Sequence, residues 1–300
     1  GALLPEGADT VVMQENVAAD GNFIRLTAEP SPAKGRHVRH QGGDFAQGSI
    51  GLPAGSLLNP AALGEAVIAG YGELAVGKQP RVAVVSTGDE LVAPGSDTLP
   101  HQIPASNDVM LSAMLSGLTA ETRSLSRAPD DMDILCQTLE SAKDCDIIVT
   151  IGGASVGDHD LVGPAFRKLG AEIDFYKIAM RPGKPVMAGK LGKTVILALP
   201  GNPASAFVSA TLFLLPLVRF MAGAARYLPD YQSAPTAEAL PANGPRAQFL
   251  RARVDQAGIT PFGSQDSAKL SVLAAANALL CREADADSAE AGAIVPYIAI

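Results

Sequence analysis

The stretch that decides the fold is Asp146-Ile147-Ile148-Val149-Thr150-Ile151-Gly152-Gly153-Ala154-Ser155-Val156-Gly157-Asp158-His159-Asp160. Its first half is a continuous apolar, largely β-branched run, which predicts a strand buried on both faces over Asp146–Ile151. Its second half is rich in glycine and runs into Leu161–Leu169, which reads as a helix. A strand buried on both faces needs layers on both sides, and this points to an α/β unit.

Working outward, the same rhythm recurs from Lys78 to about Arg226. Strands are expected at Arg81–Ser86, Thr119–Leu125, Ala171–Ala179 and Thr194–Leu199. Helices are expected at Asn107–Leu115, Met132–Ala142 and after Asn202. This alternation predicts a doubly wound, mostly parallel sheet with helices on both faces, over 79–226. Residues 1–46 hold short β-like runs, Thr10–Gln14 and Phe23–Leu26, and read as a partial β-rich domain. Residues 47–78 form a linking or dimerisation segment, in which Asn59-Pro60 starts a helix over Ala61–Ala69 that ends near Gly70. Residues 227–300, with Phe249–Val254 and Ile294–Ile298, read as a small C-terminal β domain.

Composition sets limits on function. The chain has 300 residues, 47% hydrophobic and 18% charged, a globular balance. With 23 basic against 31 acidic residues its net charge is −8, which repels nucleic acid and anionic membranes. Cys136, Cys145 and Cys281 show no Cys-x-x-Cys pair and read as reduced, buried thiols of a cytoplasmic protein. His37 and His40 lie in a Gly- and Arg-rich stretch that reads as a solvated turn, so no structural metal site is expected. The most apolar stretch, Ala206 to Val218, is too short for a bilayer and reads as a core helix.

Ligands of open α/β sheets bind beyond the carboxyl ends of the strands. Four loops fall there: Ser86-Thr87-Gly88-Asp89-Glu90, Gly152–Asp160, Lys177 with Arg181-Pro182-Gly183-Lys184-Pro185, and Pro200-Gly201-Asn202-Pro203. Gly152, Gly153 and Gly157 around Ser155 suit a phosphate before a helix start, and equally a tight turn capped by Ser155 or Asp158. Lys177, Arg181 and Lys184 suit an oxyanion. Glu90, Asp130 and Asp160 suit a hard cation. Asp130 with Asp131 also suits a helix cap, and Asp160 the dipole of its own helix. Asn202 and Pro203 suit the start of the last helix, a mainly architectural role.

These loops, in this order and spacing, resemble the MoeA family of molybdopterin molybdenumtransferases, to which the E domain of gephyrin is similar. Gly1–Val12, Val38-Arg39 with Gly43-Asp44, and Arg246–Arg251 extend the resemblance over essentially the whole chain. The resemblance implies insertion of molybdate into adenylylated molybdopterin with release of AMP, using Mg²⁺, in a homodimer. It implies acidic metal and catalytic residues at Glu90, Asp130 and Asp160, and basic catalytic residues at Lys177, Arg181 and Lys184. Substrate contacts are implied at Thr87, Gly88, Gly152, Gly153, Ser155, Gly157, Pro200, Gly201 and Asn202, with Arg246 and Ser267 from the terminal domain. A molybdopterin adenylyltransferase and a gephyrin-like scaffold without turnover are the alternatives. Residues 1–78 and 227–300 count against the first, and intact Glu90, Asp160 and Lys184 against the second. Arg181 departs from the Lys common in the family. Gly1 reads as an internal residue, and the resemblance implies that an Asn-Ser-Ala-Met-Asp-Gly-Tyr-Ala-like motif precedes it, without which these residues can fold in part yet lack activity.

Overall fold

The computed structural model describes residues 1–27, 33–125, 128–153 and 161–300. It contains two compact units, residues 1–53 with 58–72, and residues 54–57 with 73–300.

In the first unit, β1 (Val17–Asp20) and β2 (Phe23–Leu26) form an antiparallel hairpin whose turn uses Gly21 at φ 59°. The strand expected at Thr10–Gln14 does not form. Val11 N–H donates to the Arg36 carbonyl and Gln14–Asn16 is a 3₁₀ turn. One such bond is not a ladder, and without a partner edge a β-like run has no reason to extend. Helix α1 (Pro60–Ile68) starts as its sequence implies: Asn59 Oδ1 accepts from Ala62 N–H at 2.9 Å, and Pro60 holds the first position. Gly70, at φ 92°, follows its end.

The second unit begins with β3 (Arg81–Ser86), a short parallel ladder of β4 (Leu91–Val92) on β5 (Ile103–Pro104), and α2 (Ser106–Leu115). Then come β6 (Glu121–Ser124), α3 (Met132–Ser141), β7 (Ile147–Ile151), α4 (Val162–Lys168), β8 (Glu172–Tyr176), β9 (Met180–Arg181), β10 (Met187–Leu191), β11 (Thr194–Leu199) and α5 (Pro203–Met221). The central sheet has the order β6-β3-β7-β11-β10-β8. The first four strands are parallel, and β10 runs against both of its neighbours. The sequence does not announce β10, because Met-Ala-Gly-Lys-Leu lacks an apolar run. Its Gly189 is needed for closeness: a Cβ there would collide with the Glu172 carbonyl of β8. The strand expected to reach Ala179 stops at Tyr176, since Lys177 is left-handed at φ 70°.

Alternation along the buried strands divides the core. Ala83, Val85 and Ile148 pack with Leu135 and Leu139 of α3 and Phe166 of α4. Val82, Val84, Ile147 and Val149 pack with Leu111 of α2 and Ala206, Ala210 and Leu214 of α5 on the opposite face. Each fully buried Leu or Ile contributes about 1.5–3 kcal/mol. Helix α5 has 19 residues, so it is long and apolar enough to cross a bilayer by length and composition. The short stretch read from sequence understates it, yet 56% of its most apolar window is buried inside the protein, and it serves as a core helix. Its turn at Ala210–Leu214 is π-helical and precedes Pro216, which has no N–H to donate back.

The rest of this unit is an antiparallel sheet, β12 (Tyr231–Pro235), β13 (Ala247–Asp255), β14 (Gly258–Pro261), β15 (Ala278–Arg282) and β16 (Ile294–Ala299), with α6 (Leu270–Ala275) before β15. Its order is β12-β16-β15-β13-β14, around Ala252, Ile259, Leu280 and Val295. The two expected runs lie in β13 and β16, whereas β12, β14, β15 and α6 are too short to stand out in the sequence. Strand β9 lies outside the central sheet and pairs in parallel with β13, Ala247 opposite Met180. Cys136, Cys145 and Cys281 are all buried and unbridged.

Candidate functional site

Register places Tyr176, Met187, Ala198, Thr150 and Val85 in one row across the central sheet. Lys177, Pro200, Gly152 and Thr87 therefore leave the sheet at a single carboxyl edge, as the sequence reading requires. Strand β10 enters at that edge, bringing Lys184 beside Ile178, whose N–H donates to the Lys184 carbonyl at 2.9 Å.

The glycines there are needed for conformation and for room. Gly152 and Gly153 have φ 90° and 57°. A Cβ on Gly152 would lie 2.8 Å from the Thr87 carbonyl, and one on Gly153 would lie 3.0 Å from Thr87 Oγ1. Gly201 brings the β11 turn onto the β7 turn, where its own Cβ would lie 3.4 Å from Gly152 Cα. Three loop backbones thus converge at van der Waals contact. Thr87 Oγ1 and Thr150 Oγ1 are buried with no hydrogen-bond partner among the described residues.

The β3 and β6 loops are tied together. Thr87 bridges to Ala128, and Asp130 N–H donates to Asp89 Oδ1 at 3.0 Å. Asp131, rather than Asp130, caps α3, accepting from Asp133 and Ile134 N–H at 2.9 Å each. Glu90 folds back over Gly88, where a Cβ would lie 2.5 Å from Glu90 Oε2. The α2 start joins the same edge through two residues that the sequence reading passed over as ordinary helix. Asn107 Nδ2 donates to the Gly201 carbonyl at 2.7 Å, and Ser86 Oγ donates to Asp108 Oδ1. The only early signal was the polar Ser-Asn-Asp at a helix start, which capping alone would have explained.

The cations form a second group. Lys177 lies over the Tyr176 ring, its Nζ 4.8 Å from the centroid. Arg181, Lys177 and Lys184 are exposed, while Pro182 and Gly183 between them are buried, Gly183 against Ser209 of α5. Arg246 immediately precedes β13, whose Gln248 lies opposite Arg181 of β9. Ser267 reaches the Pro200–Pro203 turn: Asn202 Nδ2 donates to its Oγ at 3.2 Å, and Ala204 N–H to its carbonyl at 3.0 Å. This corrects the capping role read for Asn202. It holds the N-cap position, but its side chain makes no capping bond. Ser155, Gly157 and Asp160 lie outside the described residues.

Glu90 and Asp130 carry the kind of hard oxygen donors that a Mg²⁺ ion would take, and they leave adjacent loops of one edge. Among the described residues no three His, Cys, Asp or Glu side chains are grouped to hold a metal ion, so this pair alone would be an incomplete donor set.

A mixed α/β sheet with glycine turns and cations at its carboxyl edge, and a β domain bonded to that edge, defines a ligand-binding α/β protein of multidomain type. Comparison with known families agrees in all three regions. "Probable molybdopterin binding domain" matches residues 83–219, "MoeA N-terminal region (domain I and II)" residues 1–70, and "MoeA C-terminal region (domain IV)" residues 233–300. The chain is 38% identical over 292 residues to molybdopterin molybdenumtransferase 2 of Mycobacterium tuberculosis (strain ATCC 25618 / H37Rv), covering 93% of this chain and 71% of that protein. It is 32% identical over 304 residues to a Staphylococcus aureus (strain MSSA476) molybdopterin molybdenumtransferase, covering 99% and 72%. The crystal structure of the molybdopterin biosynthesis moeA protein of Pyrococcus horikoshii OT3 superposes with a TM-score of 0.81 at 26% identity, covering all of this chain and 74% of that one. The chain belongs to the MoeA family of molybdopterin molybdenumtransferases.

Proposed function

We propose that this protein inserts molybdate into adenylylated molybdopterin, releasing AMP, as a step of molybdenum cofactor biosynthesis. The observation that carries the reading is the single carboxyl edge where the Thr87, Gly152 and Gly201 turns meet, with Lys177, Arg181 and Lys184 on the adjoining loop. Two anions, an adenylylated dithiolene and molybdate, must approach each other, and fixed cations lower that repulsion. Lys184 and Arg181 neutralise the oxyanions, Arg181 with the planar fork that favours two-point contact. The glycine backbones of the β7 and β11 turns let the pterin phosphate come close, and Thr87 Oγ1 offers it an unspent donor.

Glu90 and Asp130, together with Asp160, would hold Mg²⁺, which when bound polarises the pyrophosphate oxygens. Burial pushes the Cys281 thiol up to about 12 and the Cys145 thiol upward, which disfavours the thiolate at both. Positioning therefore replaces covalent catalysis. The exposed apolar side chains of α1, Leu63, Val67 and Ile68, with Tyr71 beyond it, support a homodimer as the working form. Family profiles before and after the α/β region weigh against an adenylyltransferase made of that region alone.

The test is release of AMP by the purified full-length protein supplied with adenylylated molybdopterin, molybdate and Mg²⁺. AMP release and formation of molybdenum cofactor in equal amounts are expected. Binding of the pterin without any AMP would overturn the reading and favour the scaffold.

A further inference from the structure

Arg251, in β13, is 1% exposed. No ion pair holds its guanidinium among the described residues, and its Nε has no hydrogen-bond partner there. Burial pulls its pKa down, with Asp266 opposing this and Arg181 adding to it. A buried, poorly paired ion is a poor stabiliser, and an apolar side chain of similar volume commonly serves a core better. The residue therefore calls for a reason other than the stability of its own sheet.

Its contacts supply one. The guanidinium Nη2 donates to the Asp266 carbonyl at 3.2 Å. The Arg251 main chain is gripped by the same loop: its N–H donates to Gln265 Oε1, and its carbonyl accepts from Gln265 Nε2, each at 3.0 Å. Gln265 Nε2 also donates to the Phe262 carbonyl at 2.8 Å, closing the loop on itself. Two residues past Gln265 is Ser267, whose carbonyl accepts the Ala204 N–H and whose Oγ meets Asn202. The Ala204 amide is one of the unpaired donors of a helix first turn, and here a loop after β14 satisfies it. The start of α5, directly after the Pro200–Gly201 turn of the site, is thus closed by a loop that Arg251 and Gln265 set in place.

We propose that Arg251 is a positioning residue for the reaction, holding the 262–267 loop so that Ser267 closes the first turn of α5 and braces Asn202 at the carboxyl edge. The inference rests on the function proposed above for its consequence in turnover, but the closure itself is measurable without it.

The experiment compares full-length wild-type protein with R251M, Q265L and R251K by hydrogen exchange and by steady-state kinetics. In R251M and Q265L the Ala204 amide is expected to exchange about five- to tenfold faster, the loss of one modest hydrogen bond. The β11 amides, residues 194–199, should be unchanged. KM for the pterin substrate should rise about tenfold with kcat within about twofold, and R251K should recover part of the loss. Unchanged exchange at Ala204 in both R251M and Q265L would overturn the proposal. Equal acceleration across β11 and β13 would overturn it too, since Arg251 would then serve the fold as a whole. A wild-type protein without turnover would count against the proposed function and leave the exchange result to decide this inference.

Discussion

At the amino edge of the central sheet the side chains are spent on one another. Arg123 grips Asp144 with Nη1 and Nη2 at 3.0 and 3.2 Å, Arg81 reaches the same carboxylate at 3.3 Å, and Arg123 also meets Glu121. Asp146 Oδ2 accepts from the Arg81 N–H at 2.7 Å, and Thr194 Oγ1 reaches the Lys143 and Cys145 carbonyls. At the carboxyl edge of the same strands, Thr87 Oγ1, Thr150 Oγ1 and Asn107 Oδ1 are buried without partners, and Lys177, Arg181 and Lys184 lack a carboxylate, among the described residues. Folding alone favours the first arrangement, because an unmet buried polar atom costs about 1–3 kcal/mol. A protein bears the second where a ligand is to complete the bonds. On the proposed function, one edge serves stability and the other serves binding.

The largest effect that would break this contrast comes from Lys184→Ala. On the proposed function, turnover should fall about 10²- to 10³-fold, with the thermal midpoint within about 1 °C of wild type, because an exposed cation adds little to the fold. Turnover within about threefold of wild type in an AMP-release assay would remove Lys184 from the site.

Paired glycine substitutions sharpen the comparison next. Gly152→Ala meets both a positive φ and the Thr87 carbonyl, so a loss of about 2–4 kcal/mol in denaturant unfolding is expected, together with loss of activity. Gly192, in the β10–β11 turn at the amino edge, has φ 62° and open space around it. Gly192→Ala should cost only about 1 kcal/mol and leave turnover unchanged. Equal costs at the two positions would mean that the carboxyl turns are no more tightly packed than an ordinary hairpin.

Smaller still is the amino-edge network. Arg123→Ala should lower the melting midpoint by no more than about 2 °C, leave KM and kcat unchanged, and lose its effect in about 1 M salt. A change in KM would show that the two edges are coupled.

The smallest effect is a pH dependence. The hydrogen bond from Arg123 holds the Asp144 carboxyl below the usual carboxylate range, and desolvation opposes it. A lowered folded-state value means that the contribution is present above the unfolded carboxylate value, about 3.9, and is lost as pH falls through that value toward the folded one. Asp144→Asn should therefore flatten the acid side of the stability curve by a small amount, and a steeper acid loss in the variant would contradict the sign.

The local parts were written in the chain. Strands Arg81–Ser86 and Thr194–Leu199 begin and end where their β-branched runs do, because burial on both faces leaves no other pattern for them. Asn59-Pro60 starts α1 by a bond within four residues, which sequence can specify unaided. The turns that would crowd one edge were also visible, since glycine at those strand ends serves close approach. Tertiary structure alone decided the rest. Met187–Leu191 is a strand only because β8 and β11 flank it, and Tyr231–Pro235 only because β16 does. The cap of α5 comes from Ser267, far along the chain, so the adjacent Asn202 misled a local reading. Arg251 looked like any strand residue until its burial and its hold on Asp266 were seen. Bonds between neighbours follow local rules of size and capping, whereas a partner distant in sequence is chosen by how whole layers pack, and no short window of residues contains that choice.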